Sequence, residues 1–417
     1  MADGLRSVDD HLAAILAEIE PLADFQQPLI EALDLAAAER VSSPIALPRF
    51  DNSAMDGYAV YASDVATACD ESPVKLPVVG QIAAGQGGVA KLAPGTAVKI
   101  MTGAPMPAGA DCVVPYEWTD RGVKDVWIAN AAWEGQHVRY AGEDVAAGDL
   151  LIEPGTRLGP RHLGLLASVG KAGIRVRPRP RVLIVSTGSE LRDPGAALEA
   201  DSIYDGNSYL LAAAVKRAGG VPSRMGAVSD DPSAYVGALE SKLTRVDAVV
   251  SSGGISMGDF DVVKEALSPL GTVWFGGVAM QPGKPQGFGY LSSGGTGDRK
   301  VPYFALPGNP VSAYISFEVF VRPALRRMMG ITPEARPHET ARLTHDIKSP
   351  YGRRQFLRAA VTLGADGISP AQVEPVGGPG SHLLGDLAAS DALIDVPETA
   401  LSLTAGQQVS VIRLDHG

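Results

Sequence analysis

A chain of 417 residues is too long for one ordinary hydrophobic core and requires about two to four domains. With 45% hydrophobic and 20% charged residues it is globular rather than disordered. Its 36 Lys and Arg against 47 Asp and Glu leave a net charge of −11, which argues against non-specific nucleic-acid binding and leaves a small anionic ligand open, because backbone N–H groups hold phosphates on acidic proteins too.

The segment SVDDHLAAILAEIE places Val8, Leu12, Ile15 and Ile19 on one helical face, with Ser7 and Asp10 resembling a capping box. A second helix is expected from about Gln26 to Arg40, with Pro28 in its first turn, and SSPIALPRF is then extended because its prolines forbid a helix. From 51 to 140 the chain reads as β-rich, in short pieces such as KLPVVGQIAAG, TAVKIM and DCVVPYEW. Turns and one helix, RHLGLLASVG, fill 141–177, and this stretch is expected to return to the N-terminal helices, making 51–140 an insertion.

From 178 to 330 short apolar runs alternate with helices. RVLIVSTG and VDAVVSSGG read as strands buried on both faces, VPSRMGAV and VPYFALPGNP as further strands. Helices follow in NSYLLAAAVKRAGG, capped by Asn207 or Ser208 and stopped at Gly219–Gly220, in DDPSAYVGALESKL, capped by Asp230 or Asp231, in DFDVVKEAL, and in PVSAYISFEVFVRPALRRMMG. This alternation implies a mostly parallel sheet covered on both faces. From 331 to 417 four strands, RRQFLRAAVTL, ISPAQVEPV, ALIDVP and QQVSVIRL, with ARLTHDI as a fifth, suit a small barrel or sandwich. The expected fold is therefore multidomain α/β plus β. It has an N-terminal helical/linker domain (1–50 and 141–177), a β-rich inserted domain (51–140), a central doubly wound, mostly parallel α/β domain (178–330) and a C-terminal small β-barrel (331–417).

Ligands bind beyond the carboxyl ends of the strands in an open α/β sheet. Three runs end there in polar turns: Ser186-Thr187-Gly188-Ser189-Glu190, Ser251-Ser252-Gly253-Gly254-Ile255-Ser256 and Pro307-Gly308-Asn309-Pro310. On one edge of a parallel sheet they would form a single anion pocket of N–H groups and hydroxyls. Asn309 as N-cap and Pro310 as first helical residue would turn a helix N-terminus towards it. Plain connections between strands would account for any one of these turns alone.

Carboxylates gather on the same edge: Glu190, Asp230 and Asp231, Asp259 and Asp261. Their oxygens suit Mg²⁺ shared with substrate phosphates, and helix capping is the competing role for Asp230 and Asp261. Lys284 sits in the stiff loop Gln281-Pro282-Gly283-Lys284-Pro285, as a fixed cation facing an oxyanion or as an ordinary surface charge. The segment Arg49–Ala59, with Asp51, Asn52, Ser53 and Asp56, could ligate a metal or cap turns; Thr102 lies in the similar run Ile100–Pro105.

Other chemistries are excluded by what the chain lacks. It has no GxxxxGK[ST], HExxH, paired CxxC or GxSxG, and its two cysteines, Cys69 and Cys112, do not make a disulfide framework. The start MADGLRSVDDHL has no signal-peptide core, and no uninterrupted apolar run reaches the ~18 residues of a membrane span. A cytoplasmic location is expected.

The motifs FDNSAMDGYA, IMTGAPMPAGAD, Gly142-Glu143-Asp144, STGSEL, SSGGISMGDFD, PGKP and LPGNPVSA occur in the order seen in the molybdopterin molybdenumtransferases, and the chain resembles that MoeA-type family, of which the gephyrin E domain is the animal relative, over nearly its whole length. The resemblance implies a homodimer of elongated four-domain subunits whose substrates are adenylylated molybdopterin and molybdate. The implied reaction inserts molybdenum into the pterin dithiolene with Mg²⁺-dependent release of AMP. An adenylyltransferase that supplies the pterin and apo-molybdoenzymes are the implied partners, and neither nucleic acid nor membrane is.

Carried over by motif, Asp56, Glu190, Asp230, Asp261 and Lys284 are the implied catalytic residues, with Asp261 and Asp230 on the metal. Thr102 is implied in the cleft, reaching it with Asp56 from the partner subunit. Ser186, Thr187, Gly188, Ser252, Gly253, Gly254, Ser256, Pro307, Gly308, Asn309 and Pro310 are the implied substrate-binding residues. Gly277 and Gln281 depart from relatives that carry lysine there, which keeps a non-catalytic pterin carrier or scaffold as a rival. A tungsten-selective insertase shares the chemistry.

Overall fold

The computed structural model describes residues 4–85, 91–228, 231–255, 261–294, 299–364 and 370–414. Its central unit is a six-stranded sheet in the spatial order Val221–Val228, Arg181–Thr187, Ala248–Ser252, Lys300–Leu306, Pro285–Ser292, Val273–Gly277. The strand RVLIV has no polar face because both of its faces are buried. Val182 and Ile184 enter a core shared with the helices Gly206–Ala218 and Pro310–Ser316. Leu183 and Val185 enter the opposite core, with Tyr235, Leu239, Val263 and Leu267 of the helices Pro232–Leu243 and Val262–Leu267. Side chains alternate across a strand, so one apolar run supplies two cores.

The first four strands in that order are mutually parallel, whereas Lys300–Leu306, Pro285–Ser292 and Val273–Gly277 pair antiparallel. Chain length explains the change. A parallel return needs a crossover of a dozen or more residues, and the connections at 278–284 and 293–299 are too short for one.

The N-terminal helix forms as expected, over Val8–Glu18, with Ser7 Oγ accepting from the Asp10 N–H at 3.0 Å. It packs on the central unit, where His11 meets Trp274 and Phe320 at ring separations of 5.0 and 4.8 Å. The helix expected over 26–40 does not form. Phe25–Pro28 is a strand, Ile30–Ala32 a single turn and Ala36–Ala37 a second strand, and the two strands flank Gly173–Arg177. Long-range pairing outweighs the helical propensity of the Ala- and Glu-rich run, and Asp34, at φ 65°, breaks any continuous helix. Leu150–Ile152 likewise returns to Val41–Ser42, so the chain leaves and re-enters this region around the β-rich segment.

That segment holds a five-stranded sheet ordered Cys112–Pro115, Gly57–Val60, Ala97–Ile100, Val74–Ile82, Asp125–Ile128. Gly57 is required by the close approach of the neighbouring strand, since a Cβ there would strike the Val114 carbonyl.

In the C-terminal region the strands Arg354–Thr362, Gln372–Pro375, His338–Leu343, Gln408–Arg413 and Ala392–Val396 pair in a closed ring, a five-stranded barrel. It is moored to the central unit at two places. Met280–Gln281 pairs with Arg354–Gln355, and Arg336 Nε donates to the buried Glu318 carboxylate at 2.6 Å. Among the described residues no helix is long and apolar enough to cross a membrane.

His11 gives the fold a pH dependence. Burial, and then the nearby Arg6 charge, lower its pKa from 6.5 to about 4. The unfolded chain therefore binds the extra proton between about pH 6.5 and 4. His11 contributes stability that is complete above pH 6.5 and is lost as the pH falls through 4, on the order of 3 kcal/mol. Denaturant melts of the intact chain should show this loss, and His11→Phe should flatten that part of the curve. An unchanged pH profile in His11→Phe would contradict the assignment.

Candidate functional site

Because the strands Arg181–Thr187, Ala248–Ser252 and Lys300–Leu306 run parallel and in register, their terminal turns meet on one edge. There they form the floor of a cleft of about 850 Å³. Ser186, Thr187 and Gly188 line it from the first turn, Ser252, Gly253 and Gly254 from the second, and Pro307, Gly308, Asn309 and Pro310 from the third. Gly253 is the point of closest approach. At φ +96° it lies in the left-handed region, a Cβ on it would stand 3.0 Å from Thr187 Oγ1, and one on Gly308 would stand 3.4 Å from its Cα. The three turns are thus packed on one another, and the left-handed backbone and tight approach at Gly253 call for glycine there.

Two residues that the sequence reading had not placed in the site hold it together. Asn207 Nδ2 donates to Ser252 Oγ at 2.9 Å and to the Gly308 carbonyl at 2.6 Å, bridging the second and third turns. Asp205, 4% exposed, accepts from Ser186 Oγ at 3.1 Å and from the Ser208 N–H at 2.9 Å. Asp205, rather than Asn207 or Ser208, is therefore the helix cap, and Asn207 is released to tie the turns. The sequence DGNS offers three polar residues, Asp205, Asn207 and Ser208, for one capping role, and nothing local decides among them. Asn309 stands at its helix start as expected, but its side chain makes no cap; Nδ2 donates instead to Ser381 Oγ at 2.8 Å. Asp231 does cap its helix, accepting from the Ser233 N–H at 3.0 Å.

The facing wall is the loop 281–285. Gln281 Oε1 accepts from Gln355 Nε2 at 2.9 Å, so the position that departs from lysine is held by the barrel. Gln286 Nε2 donates to the Gly283 carbonyl at 2.7 Å and to Ser316 Oγ at 2.6 Å, fixing the turn that carries Lys284. Lys284 is exposed to the cleft, and among the described residues its ammonium has neither an ion pair nor a hydrogen bond. Arg353, from the barrel, lines the same cleft and is likewise unpaired among the described residues. Sequence reasoning missed both Arg353 and Ser381, because only the closed barrel brings them to the central sheet.

Glu190 and Asp261 line the cleft. Asp230 and Ser256 lie outside the described residues, as does Asp259. Asp56 and Thr102 form a pair of their own. Asp56 Oδ1 accepts from the Thr102 N–H at 2.7 Å and from Thr102 Oγ1 at 2.9 Å, and these two bonds hold the carboxyl below its usual pKa. Both residues are exposed, and neither lines the cleft of its own chain. Among the described residues no group of three or more His, Cys, Asp or Glu forms a ready metal cage. Of the two carboxylates expected on the metal, Asp261 is in the open cleft, a setting that suits a hard cation taking one or two protein ligands and sharing substrate phosphates.

Comparison with known proteins bears on the whole chain. Residues 6–170 match the MoeA N-terminal region (domain I and II), 183–327 a probable molybdopterin binding domain, and 340–414 the MoeA C-terminal region (domain IV). Molybdopterin molybdenumtransferase 2 of Mycobacterium tuberculosis is 43% identical over 98% of this chain and 99% of its own. Molybdopterin molybdenumtransferase 1 of the same organism is 39% identical over 99% of this chain and 100% of its own. The crystal structure of a molybdopterin biosynthesis MoeA protein from Pyrococcus horikosii superposes with a TM-score of 0.82 at 33% identity, covering 99% of this chain and 100% of that one.

Asn207→Ala should separate the second and third turns. The buried Ser252 hydroxyl and the Gly308 carbonyl would each lose a donor, and stability should fall by about 1–3 kcal/mol in urea melts. Retention of full stability would mean that glycine packing alone holds the turns.

Proposed function

Because the chain belongs to the MoeA-type molybdopterin molybdenumtransferases, enzymes of molybdenum-cofactor biosynthesis, we propose that its cleft takes adenylylated molybdopterin and molybdate, transfers molybdenum to the pterin dithiolene and releases AMP. The observation that carries this reading is the convergence on one cleft of three polar turns with two cations, Lys284 and Arg353, that have no ion pair among the described residues.

Each part has a chemical task. N–H groups of the Gly-rich turns, with the Thr187 hydroxyl, donate to the phosphates of the bound nucleotide–pterin and orient its anhydride, while the Ser186 and Ser252 hydroxyls, which donate to Asp205 and to the Pro307 carbonyl, hold the turns in place. Lys284 and Arg353 balance the negative charge of molybdate and of the phosphates as the anhydride is hydrolysed and AMP leaves. Asp261 and Asp230 are the residues we assign to Mg²⁺, which when bound neutralises charge shared with the substrate phosphates. Catalysis is then chiefly positioning and electrostatic stabilisation.

In the homodimer that this reading requires, Asp56 and Thr102 of the partner subunit complete the cleft, in keeping with their exposure and with their absence from the lining of their own chain's cleft. The Asp56 carboxyl, kept ionised by Thr102, supplies a fixed negative charge.

The test is incubation of the purified protein with adenylylated molybdopterin, Mg²⁺ and molybdate, following AMP release and active cofactor. AMP release that depends on molybdate, with cofactor formed, is the expected result; tight pterin binding without AMP would replace the reading with a carrier. Tungstate competition measures the metal preference. Asp261→Asn should lower turnover about 100-fold while leaving thermal stability unchanged. Mixing Asp56→Ala with Asp261→Asn subunits should restore activity to hybrid dimers, since one of their two clefts is then intact. No recovery on mixing would place Asp56 outside the shared site.

A further inference from the structure

The edge of the central sheet is finished by a segment from outside it. Arg6 pairs in parallel with Val278: the Arg6 N–H donates to the Gly277 carbonyl at 3.0 Å, and the Ala279 N–H donates to the Arg6 carbonyl at 2.8 Å. Two side-chain contacts pin the same residue. Its guanidinium lies 4.0 Å from the centre of the Trp274 ring and donates to His11 Nδ1 at 3.3 Å. With Arg6 held by backbone and side chain, its neighbour Leu5 has a fixed place.

That place is the space above Gly277. A Cβ built on Gly277 would overlap Leu5 Cδ2, and the same point lies 3.6 Å from Cε of Lys284. Leu5 therefore occupies the volume that a side chain at 277 would take, beside the aliphatic stem of Lys284. On the backbone side the Val278 N–H donates to the Lys284 carbonyl at 2.8 Å, so the main chain of the lysine is fixed while its side chain has no polar partner among the described residues.

We propose that Leu5 is a positioning residue of the cleft: it packs on the stem of Lys284 and keeps the ammonium directed at a bound oxyanion. A lysine loses considerable rotamer freedom when it is immobilised on a ligand, and a stem already confined by an apolar neighbour loses less. An N-terminal residue remote in sequence from the cleft thus sets its anion affinity. The inference rests on the reading of Lys284 as an anion-binding residue.

The probe is molybdate alone, titrated calorimetrically into the full-length protein. Leu5→Ala should weaken binding about three- to tenfold, the range expected for one long side chain left to be ordered by the ligand. Gly277→Ala placed on top of Leu5→Ala should recover part of that loss, because its methyl lies 3.6 Å from Lys284 Cε and takes the place that Leu5 vacates, and Leu5→Met should keep wild-type affinity. Thermal midpoints taken in parallel separate positioning from loosened structure. Should Leu5→Ala fail to fold, Leu5→Val, which shortens the side chain, carries the same test. If Lys284→Met weakens binding and Leu5→Ala does not, the role of Leu5 is overturned and the anion site stands. Leu5→Met behaving like Leu5→Ala also overturns it. If Lys284→Met has no effect, or the unaltered protein takes up no molybdate, the anion-site reading fails and Leu5's role with it.

Discussion

Parallel pairing of four strands in register is the constraint on which the cleft depends. Such strands send all their carboxyl ends to one edge, so whatever the sequence writes after each apolar run is delivered to the same place. Here it writes Ser-Thr-Gly, Ser-Gly-Gly and Pro-Gly-Asn-Pro. The glycines let the turns touch, and the residues of all three turns line the cleft. The floor therefore follows from sheet geometry before any side chain is chosen for chemistry.

The opposite wall comes from a reversal of the chain after Gly277, since Pro285–Ser292 is the one strand of this sheet that runs against the others. The short connections force a hairpin between Val273–Gly277 and Pro285–Ser292, and the loop at its tip carries Lys284. A loop of this kind needs support, which comes from two directions. The barrel contributes Gln355 to Gln281, and the N-terminal segment contributes Arg6 to the edge at 277–279. Arg354, beside Gln355, holds Asp395 of the barrel at 2.6 Å and Asp9 of the first helix at 2.7 Å, so the two supports are themselves joined. The buried Glu318 carboxylate fixes the barrel's seat by pairing with Arg336 at 2.6 Å and with Arg322 at 3.9 Å; removing Glu318 would leave both guanidinium groups in the interior without their carboxylate.

The elements legible in the sequence were those whose signal is local. RVLIV and VDAVV showed strands buried on both faces, Gly219 stopped a helix in a left-handed turn, and four of the barrel's five strands lay within the runs read as strands, while the fifth, His338–Leu343, begins three residues before ARLTHDI and ends within it. The floor of the cleft was legible for the same reason, since strand ends and their turns are contiguous. What escaped was set by long-range pairing. The run 26–40 has helical composition, yet its strands exist only because Gly173–Arg177 lies between them. Arg353 and Ser381 carry no local mark of function and reach the cleft only through barrel closure. Asn207 was assigned to capping because nothing local shows that Asp205 already fills that role.

The departures at Gly277 and Gln281 illustrate how a lost side chain can be misread. From the sequence alone, two positions without a cation suggest a weakened anion site. In the fold neither position is vacant. Gln281 exchanges a charge for a hydrogen bond that anchors the loop to the barrel, and Gly277 yields its volume to Leu5. Cations in the cleft come instead from Lys284 and Arg353, on two separate domains. Two charges on separate supports keep their spacing only while the supports do, so the Gln281–Gln355 bond and the Arg6 pairing act on the same quantity: the separation of the two charges that line the cleft.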